Sequence, residues 1–389
     1  MYYVRRLNLN SNKNLCDKLA QELGNLYSQT VKFFWRVVRK KNIWLKPSSL
    51  MRLFSSKQMH AHSADASVQQ FFHSLKSWRQ VRKTIPEANP PKRLKKYCSV
   101  VWKNSAIRVK NGKLVLSNGI QTEPLTIDWK YDLTPTLVTL RWTGTGYELV
   151  FCYKEDTPDN KFQKPEQPVA IDIGQIHVAA TSEGTILNGR LLRSIRHGRR
   201  CSGEYIEKLI SHKKEGSRRC KRLREAKRRL NRKVTNKARD ILHKYTTGIV
   251  MYLKNKGYNT LVVGDLTGYR VENNCGSKRN RENHTWLYSK ISWYLKYKWE
   301  RLGLKYVPQE ESYTSKTCPA CAERKEPTGR EYKCKCGFVG HRDLVGATNI
   351  LRKYLGTFGN QTIPVDALMA RASGVRFDPH INVAHGFNL

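Results

Sequence analysis

Val169-Ala170-Ile171-Asp172-Ile173-Gly174 is an apolar run interrupted by a single carboxylate. Aliphatic residues without alternation mark a strand covered on both faces. An acid at the end of such a strand is costly unless something uses its charge. Beyond it, His177 to Thr181 and Thr185 to Leu187 flank Glu183-Gly184 as a hairpin. A long basic stretch follows, then the apolar strand Leu261-Val262-Val263 and a helix from Ser289 to Leu302. A strand from Lys305 to Val307, a crowd of cysteines and a last helix from Leu344 to Tyr354 complete the pattern. Strands alternating with helices predict an α/β sheet domain.

Upstream of this region the pattern differs. Tyr2 to Leu9 reads as a short strand, and Leu15, Leu19, Leu23, Leu26, Phe34 and Val37 then recur at helical spacing. The outer face of that helix carries Lys18, Lys32, Arg36, Arg39 and Lys40. Val68, Phe71, Phe72, Leu75 and Trp78 mark a second helix that stops before Pro86. Both apolar stripes read as core, and Pro86 to Arg93 reads as a linker. From about residue 100 the period becomes two. Strands Ile107 to Lys110 and Lys113 to Leu116 flank Asn111-Gly112, a strong hairpin signal. Leu137 to Trp142 and Tyr147 to Tyr153 flank Gly144-Thr145-Gly146 as another. The tail from Gly356 to Leu389 shows no periodicity, and there is no internal repeat.

The 389 residues include 72 Lys+Arg against 31 Asp+Glu, a formal net charge of +41. Self-repulsion on that scale burdens a compact chain unless a polyanion neutralises it. With 39% hydrophobic and 10% aromatic residues, the chain is too rich in core formers to be a disordered basic tail. No apolar run approaches the ~20 residues of a membrane span, and the start MYYVRRLNLN lacks an apolar signal core. A soluble intracellular protein with a nucleic-acid partner is expected.

The charge concentrates in one place. Arg218, Arg219, Lys221, Arg222, Arg224, Lys227, Arg228, Arg229, Arg232 and Lys233 fall within sixteen residues that contain one acid, Glu225. Leu223, Ala226 and Leu230 keep a narrow apolar seam, so the stretch reads as a helix docked on one side. Like charges at i,i+4 are destabilising in isolation, whereas a phosphate backbone turns them into affinity by counterion release. Such contacts do not distinguish DNA from RNA.

Of ten cysteines, Cys16, Cys98, Cys152, Cys201, Cys220 and Cys275 are scattered and read as ordinary thiols. Cys318, Cys321, Cys334 and Cys336 form C-x2-C and C-x-C pairs separated by twelve residues. Two thiolate pairs on tight turns can supply a closed tetrahedral Zn²⁺ shell, which is structural because no coordination position stays open. Lys316, Lys333 and Lys335 are placed to favour thiolates. A redox C-x-x-C would need no second pair.

Asp172 by itself could be a turn residue, and Asp343, at the start of the last helix, could be an acid favoured by the helix dipole. Beside a basic channel, the pair points to a phosphodiester hydrolase in which clustered carboxylates hold two Mg²⁺ ions. A third carboxylate is then required.

Ala170-Ile171-Asp172-Ile173-Gly174, the strand Leu261 to Leu266, Glu311-Ser312-Tyr313-Thr314-Ser315-Lys316, both cysteine pairs and His341-Arg342-Asp343 occur in the order seen in TnpB proteins. In these motifs the chain resembles that family of transposon-encoded, RNA-guided nucleases, relatives of Fanzor proteins and type V CRISPR effectors, over about residues 169–355. The resemblance implies a multidomain chain of α+β and α/β class. A β-barrel-like wedge would occupy 1–12 and 88–165, with a helical recognition insert at 13–87. A split RuvC-type domain of RNase H fold would occupy 166–312 and 338–355, with a zinc ribbon at 313–337 and an irregular tail at 356–389. It also implies a guide RNA from the transposon end, target double-stranded DNA beside a short adjacent motif, and cleavage with Mg²⁺. The particle would be a monomeric ribonucleoprotein in a prokaryotic cytoplasm, associated with the nucleoid.

One position departs from the family. Where its middle strand ends in a glutamate, this chain has Gly264, followed by Asp265-Leu266. Glu311 sits where rearranged relatives supply the displaced acid, so the expected catalytic set is Asp172, Glu311 and Asp343, with Asp265 and Glu310 as alternative third acids. Arg342 and Lys316 are expected to steady phosphate. The alternatives are a guided DNA-binding regulator that does not cut and an RNA-independent DDE transposase.

Overall fold

A computed structural model describes residues 2–91, 94–154, 165–265, 276 and 286–359, and 375–377 by backbone. Leu266, Cys275 and most of the tail lie outside the described residues. The chain divides into two compact units, Met1–Asp156 and Thr157–Leu389.

In the first unit, β1 (Tyr2–Leu9) leads into α1 (Lys13–Lys41), α2 (Pro47–Leu53) and α3 (Ala61–Thr84). Strands β2 (Val100–Lys103), β3 (Ile107–Lys110), β4 (Lys113–Leu116), β5 (Leu125–Asp128), β6 (Leu137–Trp142) and β7 (Tyr147–Lys154) follow. They form two sheets, ordered β1-β7-β6-β2 and β3-β4-β5. Asn111 (φ 50) and Gly112 (φ 68) both adopt the left-handed conformation that a two-residue hairpin turn demands. Leu19, Leu23 and Phe34 of α1 are buried with Phe71 of α3 and with Trp102, Leu140 and Leu149 of the first sheet. The apolar stripes therefore serve the core. The sequence reading did not contain α2, β2 or β5, which at four to seven residues are too short to show a period.

The second unit is built on a six-stranded sheet. Strands β8 (Pro168–Asp172), β9 (His177–Thr181) and β10 (Thr185–Asn188) form an antiparallel meander. Next come α4 (Arg190–Ser211), α5 (Arg218–Asn255), β11 (Thr260–Asp265), α6 (Tyr288–Arg301) and β12 (Lys305–Glu310). A hairpin of β13 (Glu331–Lys333) and β14 (Val339–His341) precedes α7 (Arg342–Tyr354). The sheet order is β12-β11-β8-β9-β10-β15, where β15 is Val375–Phe377. Strand β11 runs parallel to both β8 and β12.

Alternation sorts the sheet's two faces. Val169, Ile171, Leu261 and Val263 pack with Ile241, Tyr245 and Ile249 of α5 and with Ile291, Leu295 and Trp299 of α6. Ala170 and Val262 pack with Ile350 of α7 on the other face. Asp172 follows the parity of Ala170, and Gly264 that of Val262, so both face α7.

Two elements depart from expectation. The basic stretch is the first part of a 38-residue helix, whose second half supplies Ala238, Ile241, Leu242, Tyr245 and Ile249 to the core. Helix α4 does not stand out in the sequence, because Gly198, Gly203 and many cations dilute its apolar signal. Among the described residues no helix is long and apolar enough to cross a membrane.

Candidate active site

Asp172 ends β8 against α7, where Gly346 makes room for it. A Cβ at Gly346 would stand 2.5 Å from Asp172 Oδ2 and 3.3 Å from its Cγ. The carboxylate is closely ringed by protein yet keeps part of its surface open. Its pKa is raised well above the usual carboxylate value, first by burial and then by the charges of Glu311 and Asp343, with Arg342 and Arg330 opposing. Glu311 and Asp343 therefore each lie close enough to Asp172 to repel its charge, although 171 positions separate Asp172 from Asp343.

Glu311 reaches this group from a neighbouring strand. Register pairs Ile171 with Val263, and Gly264 with Gln309, so Asp172, Gly264 and the end of β12 lie side by side. A Cβ added at Gly264 would overlap Glu311 Oε2 and stand 3.1 Å from Ile350 Cδ1. The Glu311 carboxylate thus fills the space a side chain at 264 would occupy. Its turn is pinned to α7, since Asn349 Nδ2 donates to the carbonyls of Thr314 and Thr317, each at 2.7 Å. Burial, then the charges of Asp265 and Glu310, push the Glu311 pKa up to about 7, with Lys353 opposing.

The two alternative acids stand near enough to Glu311 to raise its pKa, but their surroundings differ. Glu310 accepts from Lys353 Nζ at 2.7 Å, which, with Ser312, holds its pKa down at about 2. Asp265 is exposed, and its charge adds to burial in raising the pKa of Tyr306, a residue packed on the α5–α6 face.

Asp343 occupies the first turn of α7, and its backbone N–H donates to Nδ1 of the N-cap His341 at 3.2 Å. His177 Nδ1 lies 2.7 Å from Asp343 Oδ2. Arg330 Nη1 lies 3.3 Å from each carboxylate oxygen. Burial alone would raise the Asp343 pKa, but the His177 hydrogen bond, Arg330 and His341 outweigh it and the net shift is downward. Ligand atoms of His177, His341 and Asp343 lie within 4.8 Å of one another. The sequence reading did not assign His177 or Arg330 to this group. A histidine opening a strand next to the acid's strand was a usable sign for the first, while nothing in the spacing marks the second.

The four cysteine sulfurs lie within 4.8 Å of one another, with Cys318 to Cys336 at 3.7 Å and Cys321 to Cys334 at 3.5 Å. Disulfides need about 2.05 Å, whereas Zn–S bonds of about 2.3 Å in a tetrahedron put sulfurs roughly 3.8 Å apart. The donor set fits a tetrahedral thiolate site. Tyr332, Phe338 and Val345 pack beneath it, joining the hairpin to α7. The lysines expected to favour thiolates are paired with carboxylates: Lys316 with Glu326 at 2.5 Å, Lys333 with Glu331 at 2.9 Å and Lys335 with Glu323 at 3.9 Å. Lys316 is therefore engaged with Glu326, while Arg342 is near enough to Asp172 to oppose the rise in its pKa.

Eight of the ten cations from Arg218 to Lys233 are exposed, and Lys227 and Arg232 are half-buried. Leu223, Ala226 and Leu230 are half-buried on the seam. In the first unit, α1 and α3 present a mixed aromatic and cationic surface. Arg79 lies over the Trp44 ring at 4.2 Å and Arg82 near that of Trp78 at 5.2 Å.

The OrfB_IS605 family model, described as a probable transposase, matches residues 150–270, and the Cas12f1-like TNB domain model matches 288–350. A Streptomyces pristinaespiralis protein named "Putative RNA-guided DNA endonuclease" is 29% identical over 67% of this chain and 63% of its own length. A TnpB-like protein of Methanocaldococcus jannaschii is 31% identical over 39% of this chain and 52% of its own. A "Putative transposase" of the same organism is 32% identical over 17% of this chain and 70% of its own. The chain thus spans less than two thirds of the first two relatives. The protein in a cryo-EM structure of a Cas12f1–sgRNA–target DNA complex shares the fold at TM-score 0.55 and 12% identity, covering 88% of this chain and 83% of that one.

Proposed function

This chain belongs to the TnpB family, and from that premise we propose that it is an RNA-guided, Mg²⁺-dependent DNA endonuclease whose centre is Asp172, Glu311 and Asp343. The observation carrying this reading is the exchange at Gly264, where the Glu311 carboxylate occupies the room the glycine leaves. A chain that had merely lost its glutamate would have no reason to refill the same space with another. The meander followed by two parallel strands, with α7 across one face, supports an RNase H-like assignment. The 1–12 and 88–165 wedge, the 13–87 insert, the divided nuclease domain and the 313–337 ribbon remain the domain reading.

An Asp172 carboxylate that feels the charges of both Glu311 and Asp343 suits a divalent cation, and Mg²⁺ held by the three acids would activate water and stabilise the leaving oxygen. His177 orients the Asp343 carboxylate, Asn349 fixes the turn that delivers Glu311, and Arg342 stands by Asp172 to steady phosphate. Cys318, Cys321, Cys334 and Cys336 would hold structural Zn²⁺. The exposed cations of α5 would follow a nucleic-acid backbone, while pairing with a guide would read most of the target sequence.

The test is cleavage of a matched plasmid in Mg²⁺ by protein co-expressed with the flanking element RNA. Asp172→Ala and Glu311→Ala should each lower the rate by on the order of a hundred- to a thousandfold. Gly264→Glu combined with Glu311→Ala should recover part of it, since one carboxylate again fills the shared space. Wild type that binds the target without cutting would replace this reading with a guided DNA-binding regulator. Purification without RNA would favour a DDE transposase.

A further inference from the structure

Between α4 and α5 lies a cavity of about 690 Å³. Among the described residues, Arg190, Arg193, Arg196, Arg199 and Arg200 of α4 and Lys227 of α5 line it, against two carboxylates, Glu204 and Glu207. Glu207 is already paired with Lys227. The α4 arginines recur at i+3 and i+4, where like charges repel, and Arg196, Arg199 and Arg200 are half-buried. Burial, then the charge of Arg199, lowers the pKa of Arg196. Arg199 Nε donates to Asn231 Oδ1 at 2.9 Å, holding the two helices across the opening. Trp286 closes one side, and Gln175, three residues beyond Asp172 on the loop leaving β8, forms part of the rim.

A solvated basic helix face would be convex, with its cations spread into water. Here five arginines line a concavity, three of them half-buried, which focuses positive potential on an anion. Planar guanidinium forks match phosphate oxygens in paired hydrogen bonds. The volume falls within the roughly 300–1,000 Å³ of sites for drug-sized molecules, more than one phosphate ion fills and too little for a duplex about 20 Å across, given its 12 Å major groove alone.

We propose that this cavity seats an unpaired nucleotide of a single strand, gripped through its phosphates by the α4 arginines, and passes that strand past Gln175 to the Asp172 loop. The seat stands on its own geometry, and only the direction of the strand rests on the nuclease reading.

The experiment measures anisotropy of a fluorescein-labelled 12-nucleotide thymidine strand with the whole chain in EDTA, so that no cutting intervenes. Arg193→Gln with Arg196→Gln should weaken binding at least about tenfold and reduce the salt slope by about 1.4, the release expected for two single-strand phosphates. Lys213→Gln with Lys214→Gln removes the same charge from the exposed α4–α5 loop and should cost less than about threefold. Thymidine 5′-monophosphate at millimolar concentration should compete, and thymidine should not. If the glutamine pair fails to fold, Arg193→Lys with Arg196→Lys keeps the charge and should still lose at least about threefold. Equal losses from the cavity and loop pairs, wild-type affinity in the lysine pair, or equal weakening for a 12-base-pair duplex would overturn the proposal. Because cleavage is not read, a chain that never cuts would sink the nuclease reading and leave this result standing.

Discussion

Two clusters in the second unit are suited to metal, and they are assembled in opposite ways. The four sulfurs come from nineteen consecutive residues on two local turns and lie over a small core of their own. The three carboxylates come from the end of β8, the turn after β12 and the first turn of α7. The first is a closed shell of one ligand type, which leaves no place for substrate. The second is partly open, bordered by Arg342, Arg330 and His177, and each acid stands in a different environment. Closure suits holding a shape, and unequal surroundings suit chemistry on a bound substrate.

The widest separation between them should appear on metal removal. A zinc-selective chelator should detach the β13–β14 hairpin, because binding free energies of about 10–16 kcal/mol at such sites are folding free energies. Tyr332 and Phe338 would then leave Val345 on α7 uncovered, and cleavage should fall more than about a hundredfold. Only zinc should restore it. Brief EDTA treatment that spares zinc should be reversed by Mg²⁺ alone. Zinc content measured beside plasmid cleavage decides this, and undiminished cutting by zinc-free protein would mean the ribbon is dispensable.

The same contrast explains what could be read before the fold was known. The cysteine spacing is local, so its chemistry follows from turn geometry, and the buried strand 169–174 announces itself by composition. Asp172 and Asp343 could be nominated from the ends of such elements. Gly264 could not be interpreted alone, because its meaning depends on which residue reaches its space from the adjacent strand, and that depends on the Gly264–Gln309 register. Alternation places Asp265 on the opposite parity from Gly264. It cannot predict that Lys353 turns Glu310 away while Glu311 turns inward. The α4 arginines went unassigned for a related reason: a helix shows its concave side only once its partner helix is placed.

Acidity should also separate the clusters. The Glu311 pKa lies at about 7 in the folded chain against the usual glutamate value of about 4.5, so the folded state holds the extra proton between those values. The stability this contributes is present below about 4.5 and lost as pH rises through about 7, at most about 3 kcal/mol. Asp172 moves in the same direction, and Asp343 the opposite way. Urea unfolding in the absence of Mg²⁺ should therefore show lower stability at pH 8 than at pH 5.5, with Mg²⁺ stabilising more at pH 8. Zinc retention should run the other way, weakening in acid as thiolates take up protons. Loss of the pH 5.5–8 difference in Glu311→Gln would tie it to this side chain, whereas an unchanged difference would assign it elsewhere.

The smallest effect concerns a residue that touches both regions. Arg330 lies between the two cysteine pairs, just before β13, yet its guanidinium contacts both oxygens of Asp343. A cation entering beside Asp343 must compete with that contact. The Arg330 side chain is 48% exposed, so solvent screens the pair, and exposed pairs contribute about 0.2–1 kcal/mol. Arg330→Gln should accordingly lower the Mg²⁺ concentration for half-maximal cleavage only about two- to fivefold, leaving zinc content unchanged. A higher Mg²⁺ requirement would mean that Arg330 positions Asp343 rather than competing for it, making the ribbon an active part of the acid site instead of a neighbour to it.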